Sequence, residues 1–506
     1  MDISKIIGGI RLDPAATIPL YIQIANAVAA KIQENILPPN TKLPPERELA
    51  ELLKVSRTTA INAYHQLERQ KMVRTRIGSG TYIAELSSHS VPKADIPWHQ
   101  LFSPHLQTPL SSIIKELVST VVSSDSISLS AGMPDPALYP LDAFHDLFNL
   151  TIKNLDSTDF GHIPTEGYFP LRQELARYLN QKNIFSQPDD ILVSTGSQQA
   201  LYLLTKVLLA PGDYVIVESP TYLGAIQMFQ SAGARILTLP AAGRFPLSLM
   251  EDYLIRYRPK LLYILPTFQN PNGRLIPLNE RQEILSLASR HRLAIIEDDP
   301  YGELYYGEAP PPSLKALDHY GGVIYLSTFS KILFPGLRTG WIAAPAAVIN
   351  RVALEKQYMD LHSNNISQWL LTNFLGHNLL ESHLKLVRRE YKKRRDSAAR
   401  ALRRHLETLI SFSVPGGGFY LWCHLENRIT SRQLLHEVTK ENVSFVPGEA
   451  FYADPLGEKE FRLCFVTHRE ELLQEGVKRL AQALHALMKN TVASQTNRPN
   501  SIRPII

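Results

Sequence analysis

The stretch YLSTFSKILFPGLRTGW, residues 325–341, sets hydroxyl residues, a lysine and an arginine directly behind an apolar run. That run has the length and the aromatic content of a buried strand, and Pro335-Gly336 marks a turn beyond the lysine. The same alternation recurs on either side of it: DILVSTG before SQQALYLLTKVLL, then YVIVES, ARILTLP, KLLYILP before RQEILSLASRH, and LAIIEDD. Strand-like runs alternating with helical patterns predict an α/β fold, a mainly parallel sheet with helices on both faces. The unit built this way covers residues 108–489.

Ligands of open parallel sheets bind beyond the carboxyl ends of the strands, so the residues at those ends form the candidate site. Lys331 has Ser327, Thr328 and Ser330 before it and Arg338 after it. A lone lysine after a strand is ordinarily an exposed one; with hydroxyls and an arginine beside it, it reads as an amine next to a phosphate clamp. LAIIEDDPYGELY, residues 293–305, puts Asp298 at the end of another apolar run. Tyr301 follows three residues on, and Glu297 and Asp299 read as structural or solvent-facing. ILVSTGSQQALYLL, residues 191–204, is a strand, a Gly-Ser turn and a helix, where Gly196, Ser197 and Gln198 offer N–H groups to an anion. Many strand–helix junctions look the same, so that signal is weak alone. Tyr222 in ESPTYLGA is either a ring that stacks on a ligand or a core tyrosine. Asn270 in PTFQNPNG is either a ligand contact or a simple Asn-Pro turn, and Arg462 in FRLCF either clamps a carboxylate or lies on the surface. An amine, a carboxylate, a phosphate cradle and a stacking ring are together what pyridoxal phosphate demands of a protein.

In this order the pieces resemble fold-type I pyridoxal-phosphate enzymes of the aspartate aminotransferase superfamily. SAGMPDPALYP (130–140), GYFPLRQELARYL (167–179), VPGGGFYLW (414–422) and VPGEAF (446–451) extend the match from roughly Ser128 to Ala486. The resemblance implies an aspartate-aminotransferase-like fold with a smaller α+β subdomain. It implies that Lys331 bonds the cofactor and shuttles protons, that Asp298 partners the pyridine nitrogen, and that Tyr301 and Asn270 approach the ring hydroxyl. Gly196, Ser197, Gln198, Thr328, Ser330 and Arg338 would surround the phosphate, Tyr222 would stack on the ring, and Arg462 would take an α-carboxylate. One departure stands out: FGHIPTEG (160–167) offers Phe160 or His162 where the family has a tyrosine lent across the dimer to the phosphate.

Residues 1–84 follow a different pattern. Apolar positions at Tyr21, Ile24, Val28 and Ile32 predict a helix over 20–34, and Pro45-Glu46 opens a second one. Ser56 caps a third, which carries Ala60, Ala63, Tyr64 and Leu67 on one face. MVRTRIGSGTYIA then reads as a hairpin turning at Gly78-Ser79-Gly80, made basic by Arg74 and Arg76. This segment nets +4 where the whole chain nets +5, an excess suited to phosphate contact. Each part separately would suit any small interaction domain. Together, residues 43–83 resemble the winged helix-turn-helix of the GntR family, which implies that Arg47, Ser56, Arg57, Thr58, Thr59 and Gly78 face double-stranded DNA. Ile61 stands where several GntR relatives carry an arginine, which implies apolar readout or none at that position.

Residues 85–107, rich in Ser, Pro and His, read as a linker that could dock Trp98 and Phe102; residues 490–506, with two prolines, read as a frayed tail. Two cysteines, Cys423 and Cys464, exclude a disulfide scaffold and a cysteine-rich zinc site and suit a cytoplasmic protein; no metal site is expected. No apolar run reaches the length of a membrane span. The two halves together resemble the MocR branch of the GntR family. That implies a homodimeric transcription regulator whose pyridoxal-phosphate domain senses an amino acid or amine and adjusts DNA binding. Two other readings stay open: a working aminotransferase carrying a DNA-binding module, and a scaffold that has lost its cofactor.

Overall fold

The computed structural model describes residues 3–10, 12–14, 16, 18–33, 36–76, 79–84, 126–157 and 159–496, and divides into two compact units, Met1–Phe102 and Ser103–Ile506. The expected linker at 85–107, with Trp98 and Phe102, lies outside the described residues, as does the hairpin glycine Gly78.

In the first unit, helices Leu20–Gln33, Glu46–Leu53 and Arg57–Arg69 surround a core that includes Ile24, Val28, Ile32, Leu49, Leu53, Ala60, Ala63 and Leu67. The turn between the second and third helices passes through Lys54 in the left-handed region (φ 54°), and Ser56 Oγ then accepts from the Thr59 N–H at 3.1 Å. That bond satisfies one of the amides a helix start leaves open, which fixes where the third helix begins. Strands Val73–Arg76 and Gly80–Ile83 pair antiparallel in register Val73↔Ile83 to Arg76↔Gly80, forming the expected wing. A short helix, Ile3–Gly8, precedes these elements and buries Ile7 in the same core; at six residues it is too short for periodicity to reveal.

The second unit is built on a seven-stranded sheet. Its strand order is Ile191–Ser194, Gly340–Ala343, Val323–Thr328, Ala294–Asp298, Leu261–Ile264, Tyr214–Ser219, Arg235–Pro240. Gly340–Ala343 runs antiparallel to both its neighbours; the remaining adjacent pairs are parallel. Alternate strand residues feed two separate cores, as the two-residue period of a strand requires. Val215, Val217, Tyr263 and Ile296 pack on one face, and Ile216, Leu262, Ile264 and Ile295 on the other. A smaller antiparallel sheet, Ile410–Phe412, Tyr420–Leu425, Glu460–Cys464 and Val446–Pro447, shares one apolar core with the long helices Leu379–Leu406 and Glu470–Thr496. This is the α+β subdomain.

One boundary needs correction. The last helix runs on to Thr496, so residues 490–496, read as tail, are helical; no proline interrupts the sequence between Glu470 and Pro499. Residues 497–506 lie outside the described set. Glu297 and Asp299 are structural rather than solvent-facing. Glu297 is fully buried and accepts from the Leu314 and Lys315 N–H groups, both at 2.8 Å, while Asp299 accepts from Gly302 N–H and Tyr325 O–H. No helix among the described residues is long and apolar enough to cross a membrane.

Candidate functional site

The parallel strands end together at Ser219, Ile264, Asp298 and Thr328, and the loops after them bring Tyr222, Asn270, Tyr301 and Lys331 to one edge of the sheet. Asp298 is the last residue of its strand and is 4% exposed. Its Oδ2 accepts from the Tyr263 hydroxyl at 2.7 Å, whereas Oδ1 is buried with no hydrogen-bond partner. Burial pushes this carboxyl up to about 7 against the opposing pull of the Tyr263 bond. A buried carboxylate oxygen left open in a native fold calls for a donor from outside the chain.

Lys331 follows strand Val323–Thr328 after a tight turn and donates to the Gly132 carbonyl at 2.7 Å. Desolvation of the inward-turned amine, with Arg462 and Arg338 nearby, pushes it down to about 8. An amine in that range has a far larger neutral fraction near physiological pH than an ordinary lysine, and the neutral form is the one that attacks a carbonyl. Thr328 and Ser330 flank the turn: the Thr328 hydroxyl donates to the Thr339 carbonyl at 3.0 Å and accepts from the Ser330 N–H at 3.1 Å.

The anion cradle lies beside the lysine. Gly196, at φ 108°, ends the loop before helix Ser197–Leu208, a backbone conformation that other residues rarely adopt. Gly340 lies so close across the sheet that a Cβ there would sit 2.8 Å from Gly196 C and Ser197 N. Arg338 reaches the same turn, donating to the Thr195 carbonyl at 2.7 Å. Free N–H groups at a helix start, a guanidinium and two hydroxyls form an anion site. Gln198 at the first turn accepts from the hydroxyl of Tyr222 at 2.7 Å, so the ring of Tyr222 is anchored over the opening and its hydroxyl, desolvated beside Asp298, is held protonated.

Opposite the lysine, Arg462 is 6% exposed, which removes the surface-arginine reading. Its guanidinium lies 4.0 Å from the Tyr420 ring centroid and 4.9 Å from that of Phe451. It donates to Asn270 Oδ1 and to the Ser130 carbonyl, both at 2.8 Å, while its Nε has no partner. Tyr301 and Tyr420 share a hydroxyl–hydroxyl contact of 3.1 Å. Phe160 is exposed and packs edge-on to Trp369, and His162 Nδ1 lies 3.0 Å from His362 Nε2.

The structure therefore brings Lys331, Asp298, Tyr222, Tyr301, Arg338 and Arg462 within electrostatic reach of one another, with Asn270 bonded to Arg462, Gln198 to Tyr222, Ser330 to Thr328, and Arg338 at the Gly196–Ser197 turn. Sequence reasoning missed Tyr263, Tyr420, Ser130 and Gly132. Tyr263 was within reach of it: Tyr263 pairs with Ile296, and the two-residue period then puts Asp298 on the same face. The other three are contacts of residues far apart in sequence, which no local pattern reveals.

In the first unit, Arg47, Ser56, Arg57 and Thr58 are exposed at the start of the second and third helices, and Thr59 is partly covered. Arg57 lies 3.5 Å from Glu46, a solvent-exposed pair that leaves the guanidinium available. Arg74 and Arg76 on the wing are exposed too.

The family description Aminotransferase class I and II matches residues 126–480, and Bacterial regulatory proteins, gntR family, matches residues 20–83. The chain is 34% identical over 474 residues to YisV, an uncharacterized HTH-type transcriptional regulator of Bacillus subtilis, covering 93% of this chain and 97% of that one. It is 37% identical over 397 residues to a 2-aminoadipate transaminase of Thermus thermophilus, covering 78% of this chain and 98% of the other. Among solved structures, it is similar to LysN, an alpha-aminoadipate aminotransferase of Thermus thermophilus complexed with N-(5'-phosphopyridoxyl)-L-leucine. That match has a TM-score of 0.72 and 36% identity, over 78% of this chain and 99% of the other.

Proposed function

The chain is a MocR-type member of the GntR family, a winged helix-turn-helix followed by a class I and II aminotransferase domain, and from that premise we propose that it is a pyridoxal-phosphate-dependent transcription regulator. The observation that carries this reading is the joining, in one polypeptide, of a helix start that exposes Arg57 and Thr58 to a sheet edge that gathers Lys331, Asp298 and Arg462. Its likeness to the regulator YisV spans both parts, whereas its likeness to the transaminase spans the larger one.

The residues fit the cofactor. Asp298 Oδ1, buried and unpartnered, is placed to accept from a protonated ring nitrogen. The close approach of Gly340 to the Gly196–Ser197 turn keeps the cradle free of side chain, so that a phosphate could meet backbone N–H groups there. Lys331 would hold the cofactor covalently, Tyr222 would cover its ring, and Tyr301 and Asn270 would approach the ring hydroxyl. Thr328, Ser330, Gln198 and Arg338 would complete the phosphate site. When bound, pyridoxal phosphate supplies an electrophilic carbon and an electron-withdrawing ring.

An amino acid effector suits Arg462, whose guanidinium lies 4.0 Å from the Tyr420 ring centroid and 4.9 Å from that of Phe451 and could take a carboxylate in two-point fashion. Binding there would exchange the Asn270 and Ser130 contacts for the ligand, and Asn270 belongs to the same site as the cofactor. Such a ligand alters DNA binding only as far as it favours one arrangement of the chain over another. A homodimer would present two heads and so prefer paired half-sites in the DNA.

A second reading, a working aminotransferase, is favoured by the set of groups present: a half-buried amine at Lys331 with a buried carboxylate at Asp298 and a buried guanidinium at Arg462. Turnover of an amino acid panel with 2-oxoglutarate separates the two. Rapid turnover together with DNA binding that ignores every amino acid would displace the regulator reading.

A further inference from the structure

The largest concentration of positive charge in the chain is not in its N-terminal unit. Helix Leu379–Leu406 holds ten Lys or Arg against three Asp or Glu, a net +7 where the whole chain nets +5. Three of those cations are used internally. Arg388 pairs with Glu303, Arg394 with Asp135, and Arg395 with Asp396 and the Pro415 carbonyl. The other seven, Lys385, Arg389, Lys392, Lys393, Arg400, Arg403 and Arg404, are exposed.

At 3.6 residues per turn these seven fall within an arc of about 120° and run for about 28 Å along the helix. The opposite face, with Leu384, Val387, Tyr391, Ala398 and Leu402, is buried in the core of the second unit, so the stripe is held rigidly outward. Arg389 and Lys393 share Glu390, each at 3.1 Å. Among the described residues, Lys385, Lys392, Arg400 and Arg404 have no carboxylate at ion-pair distance.

A face kept only for solubility would interleave the two signs. Here Lys385–Arg389, Arg389–Lys393 and Arg400–Arg404 are like-charge pairs at i, i+4, an arrangement that destabilises a helix. The helix dipole accounts for Arg403 and Arg404 in the last turn, but its reach does not extend to Lys385, Arg389, Lys392 and Lys393 in the helix interior. Among the described residues, Glu390 offsets this repulsion at Arg389 and Lys393, and no carboxylate at ion-pair distance offsets it at Lys385, Arg400 or Arg404. The stripe's natural counterpart is a straight polyanion, and a DNA duplex bears about one charge per 1.7 Å of axis. A lipid surface fits less well, because the apolar residues such binding would insert are turned inward and Leu386 alone of the helix's large hydrophobics is exposed.

We infer that the outer face of helix Leu379–Leu406 is a second DNA-contact surface, binding duplex backbone without reading sequence. This rests on the reading of the chain as a DNA-binding regulator. It means that part of the chain's affinity for DNA resides in the aminotransferase-like unit and is independent of base sequence.

The test uses the full chain and a combined variant, Lys385→Gln, Lys392→Gln, Arg400→Gln and Arg404→Gln, with affinity for a selected duplex measured across a salt series. Each lost phosphate contact lowers the log–log salt slope by about 0.9, so the variant's slope is expected to fall by about 2 to 4. Its preference for the selected sequence over a scrambled one is expected to stay within twofold. A second measurement needs no variant: lengthening the duplex with arbitrary flanking sequence is expected to tighten binding by the native chain at least tenfold. Retention of pyridoxal phosphate by the variant reports an intact fold. Equal slopes and no gain with length would overturn the inference alone, provided that Arg57→Ala still abolishes sequence preference. A native chain that binds no duplex would overturn both this and the regulator reading. Capture of phosphatidylserine vesicles that depends on the same four residues, without any effect of duplex length, would assign the stripe to membrane instead.

Discussion

The hydroxyl of Tyr263 donates to Oδ2 of Asp298 at 2.7 Å, and the other oxygen of that carboxylate, Oδ1, has no partner. Tyr263 is wholly buried, so the bond fixes which oxygen is left for a ligand. Tyr263→Phe removes the donor while keeping the ring. A hydrogen bond to a charged group contributes about 1.5–3 kcal/mol, so the variant should hold pyridoxal phosphate roughly tenfold or more less tightly by equilibrium dialysis. Unchanged retention would mean that packing alone orients the carboxylate.

The amine of Lys331 is pushed down to about 8, chiefly by burial, with Arg462 and Arg338 adding to the effect. Below that pH the neutral fraction changes about tenfold per unit; above it the fraction saturates. The rate at which cofactor-free protein acquires its visible absorbance band should follow this curve, and Lys331→Ala should acquire no such band. A rate that is flat across this range would show that the amine is not the group being titrated.

Asp298 gives a stability signature. Its carboxyl is raised to about 7 by burial, so the folded chain binds that proton more tightly than the unfolded chain. Without cofactor, stability is therefore lost as pH rises from about 4 through about 7. Asp298→Asn abolishes this term, and chemical denaturation should show the variant gaining on the native chain by roughly 2–4 kcal/mol between those limits. A difference that does not change with pH would contradict the assignment.

In the N-terminal unit, stability and DNA contact should separate. Ser56→Ala loses the bond to the Thr59 N–H and should cost about 1 kcal/mol in thermal unfolding. Arg57→Ala should leave unfolding nearly unchanged, since its partner Glu46 is exposed and 3.5 Å away, yet abolish the preference for a selected duplex over a scrambled one. Equal loss of stability in both variants would place Arg57 in the scaffold.

Much of this architecture was legible in the sequence because its signals are local. The strands Leu261–Ile264 and Ala294–Asp298 are short apolar runs, Ser56 is a cap by residue type, and Gly196 marks a strand–helix turn. Asp298 and Lys331 followed from their places after such runs. What stayed hidden depends on tertiary approach: Arg462 meeting Asn270 across 192 positions, or Lys331 reaching Gly132 across 199. The end of the last helix was misplaced because a polar composition resembles a tail even where nothing breaks the helix before Pro499. Net charge misled as well. A count by segment drew attention to the first 84 residues, while the denser stripe on Leu379–Leu406 emerges only when residues are sorted by helical face.

Control of DNA binding by the cofactor site is tested most directly by the affinity of the full chain for a selected duplex. That affinity is measured cofactor-free, with pyridoxal phosphate, and with pyridoxal phosphate plus each of a panel of amino acids. Lys331→Ala is carried through the same series. A coupled site should shift the native affinity by about 5-fold to 150-fold in at least one of those states, and Lys331→Ala should show no such shift. Identical affinities in every state, with the cofactor demonstrably bound, would contradict the account.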